Sequence, residues 1–185
     1  MTAAAVFAVF GISGVGKTTL VKRFVKNHPS YLHLQASALL RTAKATTSEA
    51  LRSAPAAEIR DNQDILVTAF HTARLDAPER PVIFDGHSLI DGDAGLVIIP
   101  TDVIARLDPV RLIFVYDEPR LIHQRRISDT SRRRPTRSIE QLAEQQAVAF
   151  IACQRYAASL DLPLDSVLAG ELVGLAGAIL AATHD

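Results

Sequence analysis

The chain has 185 residues, 20 basic and 20 acidic, and no formal net charge. That length suits one compact domain spanning 1–185, and 48% hydrophobic against 22% charged residues excludes a chain dominated by disorder. No apolar run is long enough for a bilayer span, the apolar N-terminus lacks the basic segment of a signal peptide, and the single cysteine, Cys153, excludes an internal disulfide or a cysteine-rich zinc site. A cytoplasmic setting without membrane association is expected.

In chain order, residues 5–10 (AVFAVF) read as a buried strand, and GISGVGKTT follows at 11–19. The next helix carries Leu20, Val21, Phe24 and Val25 on one face and ends at Pro29-Ser30. Residues 31–35 are a second strand. Ser37 is the expected N-cap of a short helix, 46–57 a loop or a weakly structured helical connection, and 57–75 a long amphipathic helix. PVIFD (81–85) reads as a buried strand ending in a carboxylate, and the residues up to Pro100 as an excursion turning at Asp91-Gly92, as in a hairpin. A short helix capped by Thr101 or Asp102 leads to the strand RLIFVYD (111–117). Asp117-Glu118-Pro119 opens another helix, a long one runs from Ser138 to Leu160, and PLDSVLA with ELVGLAGAILAATH supplies a last strand and helix. Alternating strands and helices predict an α/β fold with a mostly parallel sheet.

The strongest motif is Gly11-Ile-Ser-Gly-Val-Gly16-Lys17-Thr18, which meets G-x-x-x-x-G-K-[ST] at every required position, between a strand and a helix. Its glycines let backbone N–H groups turn toward phosphate oxygens, the helix N-terminus adds partial positive charge, and Lys17 reaches the β- and γ-phosphates. Gly11, Ser13, Gly14, Val15, Gly16, Lys17, Thr18 and Thr19 are therefore the expected ATP-binding residues. Thr18 is an expected Mg²⁺ ligand. A metal-positioning carboxylate is also required, and two strands end in one. Asp85 is assigned to the metal, because Asp117 has an alternative role as N-cap of the helix that Pro119 opens.

Charge is unevenly placed. Seven of the 16 arginines (120, 125, 126, 132, 133, 134 and 137) fall within 18 residues that hold one acid, Asp129. Such a concentration points to an anionic partner. Interleaved aromatic residues would favour nucleic acid, and this stretch has none. Planar, permanently charged guanidinium groups suit phosphates, although a plain charged surface is the bland alternative, and Arg120 and Arg137 read as helix-surface residues. His33, His71 and His123 lack metal-ligand spacing, and Cys153 reads as a core residue.

These residues together resemble the nucleoside monophosphate kinases of the P-loop class, most closely the archaeal type of adenylate kinase. LHLQASALLRT aligns with the family stretch whose arginine binds the acceptor phosphate and places Arg41 there, although the preceding Ser/Thr-Gly-Asp is not kept. FDGHSLIDGDAGLVIIPTDVIARLDP resembles the passage from Asp-Thr-His through a small excursion to Leu-Pro, with Asp85 and His87 at the matching positions. HQRRISDTSRRRP matches the lid pattern in Arg125, Arg126, Asp129 and Arg133. The resemblance implies a three-layer fold with a five-stranded parallel sheet in the order 2-3-1-4-5. It also implies an acceptor region over about 31–75, an arginine-rich lid over about 125–137, and phosphoryl transfer from MgATP to a nucleoside monophosphate. His87 then touches the acceptor, orients Asp85, or is a structural histidine. Arg60 either faces the acceptor or pairs with Asp64, and 162–167 passes the donor adenine. The adenine-reading glutamine of the common adenylate kinases is missing.

Two other functions fit the same motifs. A hydroxyl-bearing metabolite as acceptor would use Asp85 as a base. An ATPase switch on an RNA or ribosomal partner would turn the lid arginines toward that partner. Oligomeric state is not readable from the residues.

Overall fold

The computed structural model describes residues 4–46, 56–92, 95–130 and 134–181. Five strands form a parallel sheet: β1 (Val6–Phe10), β2 (Leu32–Gln35), β3 (Val82–Asp85), β6 (Arg111–Tyr116) and β7 (Leu164–Leu168), in the order β2-β3-β1-β6-β7. Counting central strands alone, this is the expected 2-3-1-4-5. Between β3 and β6 the chain makes a separate antiparallel pair, β4 (Leu89–Gly92) and β5 (Gly95–Ile98). The helices are α1 (Lys17–Asn27), α2 (Ala36–Lys44), α3 (Ala56–Leu75), α4 (Thr101–Ala105), α5 (Pro119–Ser128), α6 (Ile139–Leu160) and α7 (Leu172–Leu180).

All five residues of β1 are buried, which requires cover on both faces of the sheet. Helix α1, which buries Leu20, Val21 and Phe24, packs with α7, and α6 packs with α4, α5, β6 and β7. Val25, expected on the same apolar face, is only partly buried. The register pairs Val9 with Asp85 and Asp85 with Gln35, so the carboxyl ends of β1, β2 and β3 finish side by side. Ligands of open α/β sheets bind at that edge.

Several expected boundaries shift, each for a local reason. Gln35, not Ser37, is the N-cap of α2, because the strand passes straight into the helix. Pro100, not Thr101 or Asp102, precedes α4, and no side chain caps that helix. Asp91 and Gly92 are not a turn: they are β4 residues, paired with Leu96 and Gly95. Glu118, not Asp117, is the N-cap of α5. Ser138 caps α6 in a reciprocal capping box with Gln141, at bond lengths of 3.2 and 2.9 Å. Among the described residues no helix is long and apolar enough to cross a membrane.

Candidate active site

The loop between β1 and α1 is shaped by glycine. Gly14 and Gly16 have φ of 86° and 103°, in the left-handed region that side chains with a Cβ rarely enter. Gly16 is also the N-cap of α1, where no side-chain bond caps the helix and the first turn holds no acid. The first N–H groups of α1 thus keep their capacity for an external anion.

Behind the loop, Asp85 gathers three side chains, and a fourth joins through Thr18. Lys17 Nζ donates to Asp85 Oδ1, Thr18 Oγ1 donates to Oδ2 at 2.7 Å, and His33 Nε2 lies 3.3 Å from Oδ2. Gln35 Nε2 donates to Thr18 Oγ1 at 3.3 Å. Burial pushes the Asp85 carboxyl upward. The Lys17 charge and the hydrogen bonds from His33, Lys17 and Thr18 outweigh it and hold Asp85 well below the usual carboxylate range. From sequence His33 reads as a structural histidine without metal-ligand spacing, and Gln35 carries no signal. Both reach this site because β2 runs beside β3, a neighbourhood that only the strand order reveals.

The other side of the loop is covered by arginines. Arg125 Nη1 donates to the Val15 carbonyl at 2.9 Å, and its Nη2 donates to Asp117. Asp117 therefore anchors an arginine instead of capping α5. Arg126 Nη2 donates to Asp91 Oδ2 at 3.0 Å. Arg134 Nε donates to Ser13 Oγ at 3.2 Å and its Nη2 to Asp129 at 2.5 Å. Arg137, expected on a helix surface, instead precedes α6 and donates to Asp91 Oδ1 from Nη2 at 2.8 Å and from Nε at 3.2 Å. Arg120 is exposed on α5. Arg133 lies outside the described residues, as does the side chain of Arg60, while the Asp64 carboxylate pairs with Arg106.

Three nitrogens of this cluster, Arg126 Nε, Arg126 Nη1 and Arg134 Nη1, are buried with no acceptor among the described residues. Each such group costs about 1–3 kcal/mol, a debt that a bound anion would relieve. Both arginines line a cavity of about 460 Å³ that also takes in Gly14, Lys17, Thr18 and Thr19. Its far half is walled by apolar side chains such as Leu40, Leu66, Leu89 and Val103, with the carboxamides of Asn62 and Gln63 among them. His87 lines the cavity and its Nδ1 lies 2.8 Å from the Gly11 carbonyl, so it braces the phosphate loop. Arg41 is half-buried on α2 and does not line the cavity, although the adjacent Leu40 does. No cluster of three or more His, Cys, Asp or Glu side chains suits a metal among the described residues. A metal held here would depend on Thr18 and Asp85 together with oxygens from the nucleotide and water.

The profile of the AAA_17 family, described as an AAA domain, matches residues 10–143, from the phosphate loop to the start of α6. The chain belongs to this family. It is also 27% identical over 157 residues to an adenylate kinase of Methanothermobacter thermautotrophicus, covering 82% of this chain and 83% of that one. A shikimate kinase from Acinetobacter baumannii, solved in complex with shikimate, superposes with a TM-score of 0.62 at 14% identity, over 98% of this chain and 93% of the other. A gluconokinase from Sinorhizobium meliloti gives 0.52 at 15% identity, over 97% and 94%. These two likenesses show a shared fold. The family membership and the adenylate kinase relative together make this chain a P-loop phosphotransferase, of the kind that the phosphate loop and lid motifs resemble.

Proposed function

We propose that this phosphotransferase moves the γ-phosphoryl group of MgATP to a nucleoside monophosphate, with AMP as the first candidate. The observation that carries the reading is the make-up of the acceptor half of the cavity. A hydroxyl acceptor needs a base. Asp85 is a poor one: in the free protein Lys17, His33 and Thr18 hold it below the usual carboxylate range, and in the loaded site it is assigned to Mg²⁺. Asp91 is bound to two arginines, and Asp129 to Arg134. An acceptor that is already an anion needs no base, only neutralised charge and alignment. The apolar walls with two carboxamides suit a flat heterocycle that must be both desolvated and hydrogen-bonded.

In this reading the uncapped N-terminus of α1 and Lys17 take the donor phosphates, and Arg125, Arg126 and Arg134 offer N–H donors to the group in transfer. Arg133, which the lid motif includes, is assigned with them. A hydroxyl and a carboxylate oxygen 2.7 Å apart are hard donors of the kind Mg²⁺ accepts, so Thr18 and Asp85 fit that ion. When bound, it neutralises phosphate charge and aligns the β- and γ-groups. Lys17 would then turn from Asp85 toward phosphate. Arg41 remains assigned to the acceptor phosphate, which requires α2 to carry it inward when the acceptor binds.

The test is ATP consumption with Mg²⁺ against AMP, CMP, UMP, GMP and dAMP, with products separated by chromatography. A diphosphate product from one of them is expected. Free phosphate with no diphosphate would sink the reading and move the search to hydroxyl acceptors and macromolecular partners. Within it, Arg41→Ala should raise the KM of the acceptor and leave that of ATP unchanged, and equal changes in both would remove Arg41 from its role.

A further inference from the structure

Asp91 belongs to neither the phosphate loop nor the arginine-rich segment. It lies on β4, its side chain 7% exposed, and each carboxylate oxygen serves a different arginine: Oδ2 accepts from Arg126, and Oδ1 from Arg137. The stem of Arg126 crosses the phosphate loop so closely that a Cβ on Gly14 would lie 2.7 Å from Arg126 Cγ. Two guanidinium groups on one carboxylate leave an excess positive charge, and among the described residues Arg126 Nε and Nη1 stay buried without an acceptor.

The strand that carries Asp91 also shapes the far half of the cavity. Leu89 and Ile90 line it directly. The base of the hairpin is fixed to α6, because Ser88 Oγ donates to the Ala149 carbonyl at 3.0 Å and the Tyr156 hydroxyl donates to the Ile99 carbonyl at 2.5 Å. One short strand therefore lines the cavity with Leu89, Ile90 and Asp91 and grips, through Asp91, the arginine that crosses the phosphate loop. Stability alone is a weak reason for this arrangement, since a buried ion pair adds little net free energy and unpaired buried N–H groups subtract from it.

We propose that Asp91 is a positioning residue for phosphoryl transfer: by dividing its carboxylate between Arg126 and Arg137 it holds Arg126 over the phosphate loop, and makes that placement depend on the strand walling the acceptor half of the cavity. The positioning role rests on the phosphotransferase assignment, and the link to the acceptor rests on the proposed nucleotide acceptor. An acceptor pressed against Leu89 and Ile90 fixes β4, and β4 fixes Arg126.

A double-mutant cycle with Asp91→Asn and Arg126→Ala tests this, read as kcat for ATP turnover with and without the accepted monophosphate. Asp91→Asn is expected to lose on the order of 10²-fold in kcat, the usual cost of a small misplacement. Its KM for ATP should stay within about threefold, and the double variant should be no slower than Arg126→Ala alone. Independent, multiplying losses would overturn the proposal, as would an unchanged kcat in Asp91→Asn. Arg137→Gln leaves the Asp91–Arg126 pair in place and guards against misfolding. Its smaller loss should vanish in the Arg126→Ala background, and an equal loss in both backgrounds would also overturn the proposal. A wild-type enzyme that accepts no monophosphate defeats the nucleotide-acceptor reading instead. The cycle is then read on ATP hydrolysis, where the same non-additivity is expected.

Discussion

Asp117 holds Arg125 against the phosphate loop. One arm of the guanidinium, Nη2, donates to the Asp117 carboxylate, and the other, Nη1, donates to the Val15 carbonyl at 2.9 Å. Asp117 is itself fixed: its Oδ1 accepts from the Glu118 N–H at 2.8 Å, and its backbone N–H and carbonyl both bond the Gln146 carboxamide of α6, at 3.1 and 2.9 Å. The end of β6, the start of α5 and the phosphate loop are thereby joined through one carboxylate.

Asp117→Asn keeps the shape and the bond to Glu118 but removes the charge. A fall of about tenfold or more in kcat is expected, as Arg125 loses its fixed place. Stability should change by only about 1 kcal/mol or less, because the Arg125 side chain is 41% exposed and solvent screens the pair. Steady-state kinetics and thermal unfolding on one preparation decide the matter. A lowered Tm with unchanged kcat would make the pair purely structural.

Lys17 and Asp85 are buried together, with side chains 5% and 1% exposed. Lys17→Ala should abolish transfer and, by leaving a buried carboxylate without its cation, destabilise the free protein by about 3–5 kcal/mol. The pH dependence supplies the sign. In the wild type the depressed Asp85 carboxyl adds stability above the ordinary carboxylate range, lost only when strong acid reaches its folded pKa. Without Lys17 the upward push of burial loses its largest opponent, so the Asp85 carboxyl moves up from its wild-type position even with His33 and Thr18 in place. Urea unfolding should therefore show Lys17→Ala regaining stability relative to the wild type as the pH is lowered. Parallel pH profiles would contradict this.

What could be read from the residues was local. The phosphate loop, the strand ending at Asp85, the strand read at 111–117 and the start of the long helix near Ser138 are each specified by neighbours within a few positions. What could not be read depended on partners far along the chain. Asp91-Gly92 has the local preference of a turn, yet arginines 35 and 46 residues downstream claim its carboxylate in a paired strand. Asp117 before Glu-Pro has the look of a cap, yet Arg125 claims its side chain. Arg137 sits among exposed-looking arginines, and His33 in a strand of mixed polarity. Both find a buried carboxylate only once the sheet is assembled. The acceptor half of the cavity is likewise built from α2, α3, β4 and α4, which no single motif spans.

Gly14 and Gly16 should respond differently to alanine. Both have positive φ, which costs a residue with a Cβ about 1 kcal/mol. At Gly16 the nearest atom to an added Cβ is Ala169 Cβ at 3.7 Å, so this backbone strain is the main cost. At Gly14 the Cβ would meet Arg126 Cγ at 2.7 Å, and that carbon belongs to a buried side chain pinned by Asp91. Gly14→Ala should therefore lower the Tm more than Gly16→Ala, and relaxing the obstacle with Arg126→Ala should recover much of the difference. Equal Tm values for the two glycine variants would show that Arg126 does not press on the loop.

Cys153 offers a measure of how tightly this assembly closes. It is fully buried on α6, and burial pushes its thiol up to about 12, against the opposing hydrogen bond with Ser88. Ser88 also donates to the Ala149 carbonyl, at the base of the hairpin that carries Asp91. At pH 8 only about one thiol in ten thousand would be ionised, and the thiolate is the reactive form. A disulfide reagent such as dithionitrobenzoate should therefore leave the native protein unlabelled over hours and react at once after denaturation. Labelling of the native protein should proceed only through opening of the hairpin from α6, so Tyr156→Phe, which removes the hydroxyl bonded to Ile99, should accelerate it. Fast labelling of the wild type would mean that α6 and the hairpin separate readily, and that the strand holding Asp91 is not the fixed support described for Arg126.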